Sequence, residues 1–96
     1  MENHDELRYE LLFKSAYREV KTDADLQILV HDLEHLIQSI EEKDTEWLKE
    51  FMDKWWILEE YNAIFLNGGN GLRFSELITK INELREDLLD LIKKKC

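Results

Sequence analysis

The feature that most constrains this chain is where its helix-breaking residues fall. Its 96 residues include no proline, and all three glycines lie in the short segment 68–71. Because proline and glycine weaken or end helices, this distribution favours long helices on both sides of that segment. The length suits one domain, and a 44% share of hydrophobic residues is enough to form a core. We therefore predict a folded, single-domain, all-α protein.

Apolar residues recur at steps of three and four in four segments. This spacing predicts helices over about 5–20, 23–41, 45–66 and 75–95. At 1.5 Å per residue these helices have similar lengths, and the short connectors make sequential helices antiparallel. We therefore predict an up-down four-helix bundle, with a three-helix core and an outlying first helix as the alternative.

Two helix starts carry recognisable caps. Thr22, followed three residues later by Asp25, is typical of a capping box. Ser75 has the side chain of a good N-cap, since its hydroxyl can accept a hydrogen bond from a free backbone N–H. We expect these residues to begin the second and fourth helices.

The third helix has more apolar residues than one buried face requires, since 13 of the 20 residues in 47–66 are apolar. Ile57, Tyr61 and Ile64 form a second stripe, and Trp56 lies on its flank. One interpretation is a central helix that contacts neighbours on both sides. The other is a homodimer or partner-binding surface, because tryptophan and tyrosine are enriched in interface hot spots.

The second helix carries polar and histidine side chains opposite its apolar seam. Ile28, His31, Asp32, Glu34 and His35 lie on this outward side. Histidines four residues apart can chelate a metal, and the string also fits an H-x-x-E-H pattern. Two histidines alone lack a third protein ligand and a supporting shell. We therefore predict a solvent-exposed or partner-binding face, with no metal site and no cofactor.

The formal net charge of −9 is concentrated in one part of the chain. The segment 23–44 has seven acidic residues and one lysine. Negative charge repels nucleic-acid phosphate and anionic lipid but attracts a basic protein. We expect a protein partner with a basic surface, no direct nucleic-acid binding and no membrane binding; the alternative is ordinary solubility charge.

The chain has a single cysteine, Cys96, so an intramolecular disulfide is excluded. No apolar run is long enough for a membrane span, and the first residues are acidic where a secretory signal is basic. These features predict a cytoplasmic protein.

Catalysis has little support, because no nucleophile, base and acid are arranged together and no phosphate-binding loop is present. We predict a non-enzymatic protein-protein interaction module, of the kind represented by stoichiometric inhibitors, antitoxins and immunity-type factors. One alternative is an acidic mimic of nucleic acid, and another is a weak metal-dependent helical enzyme using Glu83 and Glu86. The residues predicted to contact the partner are Trp56, Ile57, Tyr61, Ile64, Ile28, His31, Asp32, Glu34 and His35.

Overall fold

Helices account for most of the chain in our computed structural model, which describes residues 4–41 and 44–95. The described elements are α1 (His4–Tyr17), α2 (Asp23–Ser39), α3 (Thr45–Leu66), a 3₁₀ turn (Gly69–Gly71) and α4 (Phe74–Lys93). Each helix packs against the next along the chain, and α1 also packs against α4. This closed ring confirms the all-α four-helix bundle. The alternative with an outlying first helix is wrong, because α1 lies between α2 and α4.

The core follows the predicted apolar stripes. The largest side chains with less than 2% exposure come from all four helices and from the α1–α2 connector: Phe51, Leu12, Leu26, Leu33, Leu58, Ile81, Leu88, Ile92 and Val20. Burial of such side chains is the main favourable contribution to folding. Four apolar stripes meeting at one centre therefore account for the architecture.

The α1–α2 connector departs from the predicted helix bounds. The first helix was expected to run to residue 20, but α1 ends at Tyr17. Val20 is buried in non-helical backbone, where its N–H donates to Asn82 Oδ1 at 3.0 Å and its C=O accepts from Asn82 Nδ2 at 2.9 Å. A side chain of α4 therefore supplies the backbone hydrogen bonds that a further helical turn would have made.

The capping box at the start of α2 is confirmed. The Asp25 N–H donates to Thr22 Oγ1 at 3.2 Å, and the Thr22 N–H donates to Asp25 Oδ2 at 3.1 Å. The prediction that Ser75 caps the fourth helix is wrong, because α4 begins at Phe74. The Phe74 ring packs edge-on against Phe65 of α3 at 5.1 Å, so tertiary packing accompanies this earlier start.

The other bounds agree to within about two residues. The second helix ends at Ser39 rather than 41, and the fourth ends at Lys93 rather than 95. After α3, Gly68 has φ +88°, the left-handed conformation that commonly follows a helix end. This confirms that the glycine segment ends the third helix.

Two buried tryptophans fix α3 against both of its neighbours. Trp47 Nε1 donates to the Leu91 carbonyl of α4 at 2.8 Å. Trp55 Nε1 donates to the Val30 carbonyl of α2 at 3.0 Å. Each indole fills the core with its ring and satisfies its one donor, so the rotation of α3 about its axis is determined.

Candidate protein-binding surface

Trp56 differs from the other two tryptophans of α3. Its side chain is 55% exposed, whereas Trp47 is 5% and Trp55 is 4% exposed. Its ring meets that of Trp55 edge-on at 4.9 Å. Within the described part of the chain, no group accepts a hydrogen bond from its Nε1. The fold therefore uses Trp47 and Trp55 as internal anchors and leaves most of the Trp56 indole in solvent.

The neighbours of Trp55 define the direction in which Trp56 projects. Trp55 faces α2 through Val30, and Lys54 faces α4, where its Nζ lies 3.8 Å from Asp87 Oδ2. Because successive helical residues turn by about 100°, Trp56 projects outward on the side nearer α2. His31 follows Val30 on α2, so helical rotation places it on the outward side of α2 that is nearer α3.

Carboxylates surround the exposed indole. The residues three and four positions from Trp56 are Met52, Asp53, Glu59 and Glu60, and residues at this spacing are surface neighbours on a helix. Asp53 and Glu60 are exposed, and Glu59 is partly buried and accepts a hydrogen bond from Asn62. Glu34 adds a fourth carboxylate from the side of α2 that faces α3. We call Trp56, His31, Glu34, Asp53, Glu59 and Glu60 the Trp56 surface.

The two predicted histidines of α2 form a stacked pair. The rings of His31 and His35 lie 5.1 Å apart with an interplanar angle of 22°, and both side chains are exposed. Among the described residues, no group of three or more His, Cys, Asp or Glu side chains is placed to hold a metal ion. The pair therefore forms a flat aromatic surface on the exposed side of α2.

The second stripe of α3 is only partly exposed. Ile57 is 42% exposed, whereas Tyr61 and Ile64 are half-buried and Tyr61 packs against the core. Ile57 and Tyr61 follow Lys54 by one and two helical turns, so they lie on the side of α3 that faces α4. The stripe thus lies on the α4 side of α3, with Asp53 and Glu60 between it and Trp56.

Ile28 and Asp32 lie on another side of the bundle. Together with Leu11 of α1 they line a groove of about 170 Å³ between α1 and α2. The nine predicted residues are therefore distributed over three sides of the bundle. Helical rotation places Trp56, His31 and Glu34 on the α2–α3 side, with His35 stacked on His31. Ile28 and Asp32 lie towards the α1–α2 groove, and Ile57, Tyr61 and Ile64 lie on the α4 side of α3.

Sequence reasoning missed two groupings on these sides. The acidic ring of Asp53, Glu59 and Glu60 could have been found from its spacing around Trp56. The pairing of Leu11 with Ile28 across the groove depends on the packing angle between α1 and α2, for which a single sequence carries no signal.

Comparisons with protein-family models, curated proteins and solved structures find no match. Along the described part of the chain, every helix falls short of the length and apolar character that crossing a membrane requires.

Proposed function

We propose that this chain is a protein-binding module that engages a basic partner through the Trp56 surface. The observation that carries the proposal is a largely exposed tryptophan with carboxylates three and four residues away on α3. Tryptophan is among the residues most enriched in binding hot spots, and its ring is the best cation-π acceptor. A partner that presents arginine or lysine beside an apolar socket fits this arrangement.

The acidic charge supports the same partner chemistry. The net charge is −9, and Asp53 and Glu60 of the Trp56 surface have no ion-pair partner within the described part of the chain. Unpaired carboxylates attract a basic surface over a distance of about a Debye length and accelerate association. The indole then supplies apolar contact area at the centre of the contact.

The kind of activity that follows is occupation of another protein's surface rather than catalysis. A small acidic bundle that covers a basic functional site acts as a stoichiometric inhibitor, an antitoxin or an immunity-type factor. The proposal places this activity in the cytoplasm and involves no cofactor, no nucleic acid and no membrane.

Site-specific cross-linking in the native host tests the proposal. A photoreactive amino acid replaces Trp56 in one variant and Tyr17 in a matched control, because Tyr17 is an exposed aromatic residue on α1. We expect position 56, and not position 17, to cross-link to a basic protein, which mass spectrometry then identifies.

Binding to the purified partner gives the quantitative test. We expect Trp56→Ala to raise the Kd by about 30-fold or more, as for a hot-spot residue, and Tyr17→Ala to change it by less than about threefold. Glu60→Lys should slow association and reduce its salt dependence. Equal binding by the Trp56→Ala variant and the unsubstituted chain would overturn the proposal.

A further inference from the structure

The α1–α2 side of the bundle exposes a second group of apolar residues. Leu11 of α1 and Ile28 of α2 flank the groove and are 40% and 52% exposed. Leu7 lies one turn before Leu11 on the same side of α1 and is 62% exposed. These three side chains form an apolar strip that the monomer leaves in water.

Charges of opposite sign border this strip on its two helices. Lys14 of α1 lines the groove together with Arg18 and Glu19 of the α1–α2 connector, and Asp25 and Asp32 line it from α2. Within the described part of the chain, Lys14 and Asp32 have no ion-pair partner. Lys14 and Asp32 thus place charges of opposite sign on the α1 and α2 halves of this surface.

We propose that this α1–α2 surface binds a second copy of the chain in a two-fold symmetric dimer. With the two-fold axis parallel to the bundle, α1 of one copy packs on α2 of its partner. Lys14 of each copy then faces Asp32 of the other, and the apolar strips meet between them. A two-fold interface repeats every contact, so this surface is complementary to itself.

The charges select this arrangement over the other simple two-fold packing. An axis in the interface and perpendicular to the helices would place α1 on α1 and α2 on α2, with Lys14 on the same side as its own copy and Asp32 on the same side as its own copy. Like charges at that distance repel, which disfavours the packing. The dimer also leaves Trp56 and the α3 carboxylates free, because α3 does not contribute to the α1–α2 surface.

A charge exchange tests this arrangement. Sedimentation equilibrium from about 2 to about 200 µM should show a monomer–dimer equilibrium for the unsubstituted chain. Lys14→Glu alone and Asp32→Lys alone should each raise the dimer Kd by about tenfold or more, since each creates a like-charge contact twice. The double variant Lys14→Glu/Asp32→Lys restores opposite charges and should return the Kd to within about threefold of the original.

An apolar pair of variants provides the control. Leu11→Gln/Ile28→Gln should abolish the dimer while circular dichroism shows an intact bundle, because both side chains are already largely exposed. Leu72→Gln changes an exposed leucine outside this surface and should leave the dimer intact. The proposed dimer is wrong if the unsubstituted chain stays monomeric over the whole concentration range. It is also wrong if the folded Lys14→Glu/Asp32→Lys variant does not regain the original dimer Kd. Trp56→Ala should not affect dimerisation, so this result is independent of the proposed partner surface.

Discussion

The α1–α4 seam and the α2–α3 side of the bundle differ in which side chains they bury. At the α1–α4 seam a charged side chain, Arg85, is 6% exposed and lies inside the fold. On the α2–α3 side the largest apolar side chain, Trp56, lies mostly outside it. Polarity alone therefore does not determine which of these side chains is buried. A buried arginine and an exposed tryptophan each require a specific explanation.

The task of Arg85 is visible in its hydrogen bonds. Its Nη1 donates to the carbonyls of Ala16 at 2.7 Å and Tyr17 at 3.2 Å, which are free at the end of α1. Its Nε donates to Asn82 Oδ1 at 2.9 Å, and Asn82 holds the backbone of Val20. A cation at a helix C-terminus also interacts favourably with the helix dipole. Arg85 and Asn82 therefore end α1 and attach its connector to α4, whereas Trp56 has no comparable role inside the bundle.

The largest expected effect comes from removing the buried cation. Arg85→Met keeps a long side chain but removes the donors to Ala16 and Tyr17, and we expect unfolding to become easier by about 2–4 kcal/mol. For a domain of this size the Tm should fall by about 10–20 °C, measured by thermal and urea denaturation. Lys80→Met, an exposed cation on the same helix, should change stability by less than about 0.5 kcal/mol.

A double-mutant cycle with Asn82→Ala sharpens the result. Asn82 Oδ1 accepts from both Arg85 and Val20, so the two substitutions should be non-additive by about 1 kcal/mol. A cost below about 1 kcal/mol for Arg85→Met, or strict additivity, would show that the seam does not depend on this network.

Substitution of each adjacent tryptophan tests whether Trp55 belongs to the core and Trp56 does not. Trp55→Phe removes the hydrogen bond to Val30 and leaves space in the core, so it should cost about 1–2 kcal/mol of stability. Trp56→Phe should cost less than about 0.5 kcal/mol, because the ring is largely in water. Chemical denaturation of the two variants measures the difference.

Fluorescence quenching gives an independent check on the same pair. Acrylamide should quench Trp56 most readily, so Trp56→Phe should lower the quenchable fraction and Trp55→Phe should not. Equal stability costs with equal quenching would mean that the Trp56 ring belongs to the core, which would remove the basis of the proposed binding surface.

The sequence predicted the bundle because apolar periodicity and the missing prolines act locally along each helix. It also identified Trp56 as a residue beyond the needs of a single buried face. The burial of Arg85 was missed, because its task depends on where α1 ends and how α4 packs beside that end. For the same reason, Ile28 and Trp56 were grouped together although they lie on different sides of the bundle.

The smallest expected effect concerns the Thr22–Asp25 capping box, which attaches the α1–α2 connector to the start of α2. Here the capping box is exposed, in contrast to the buried bonds of Asn82. The hydrogen bond from the Lys21 N–H, together with those from Thr22, holds the pKa of the Asp25 carboxyl below its ordinary value. Because this pKa is lower in the folded state, the carboxylate of Asp25 stabilises the fold. Its contribution to stability is complete above about pH 4 and is lost as the pH falls through the folded-state pKa.

Thr22→Ala isolates this contribution. It removes the hydroxyl that accepts from the Asp25 N–H, and we expect a loss of about 1 kcal/mol at neutral pH. Asp25→Asn removes the titrating group, so its stability should fall less steeply between about pH 4 and pH 2 than that of the unsubstituted chain. Urea denaturation across this range measures both effects, with Asp23→Asn as the matched control in the same helical turn. Asp25→Asn and Asp23→Asn could instead reduce the loss of stability between about pH 4 and pH 2 equally. In that case the Asp25 carboxylate does not specifically hold the connector, and the buried hydrogen bonds of Asn82 and Arg85 hold it alone.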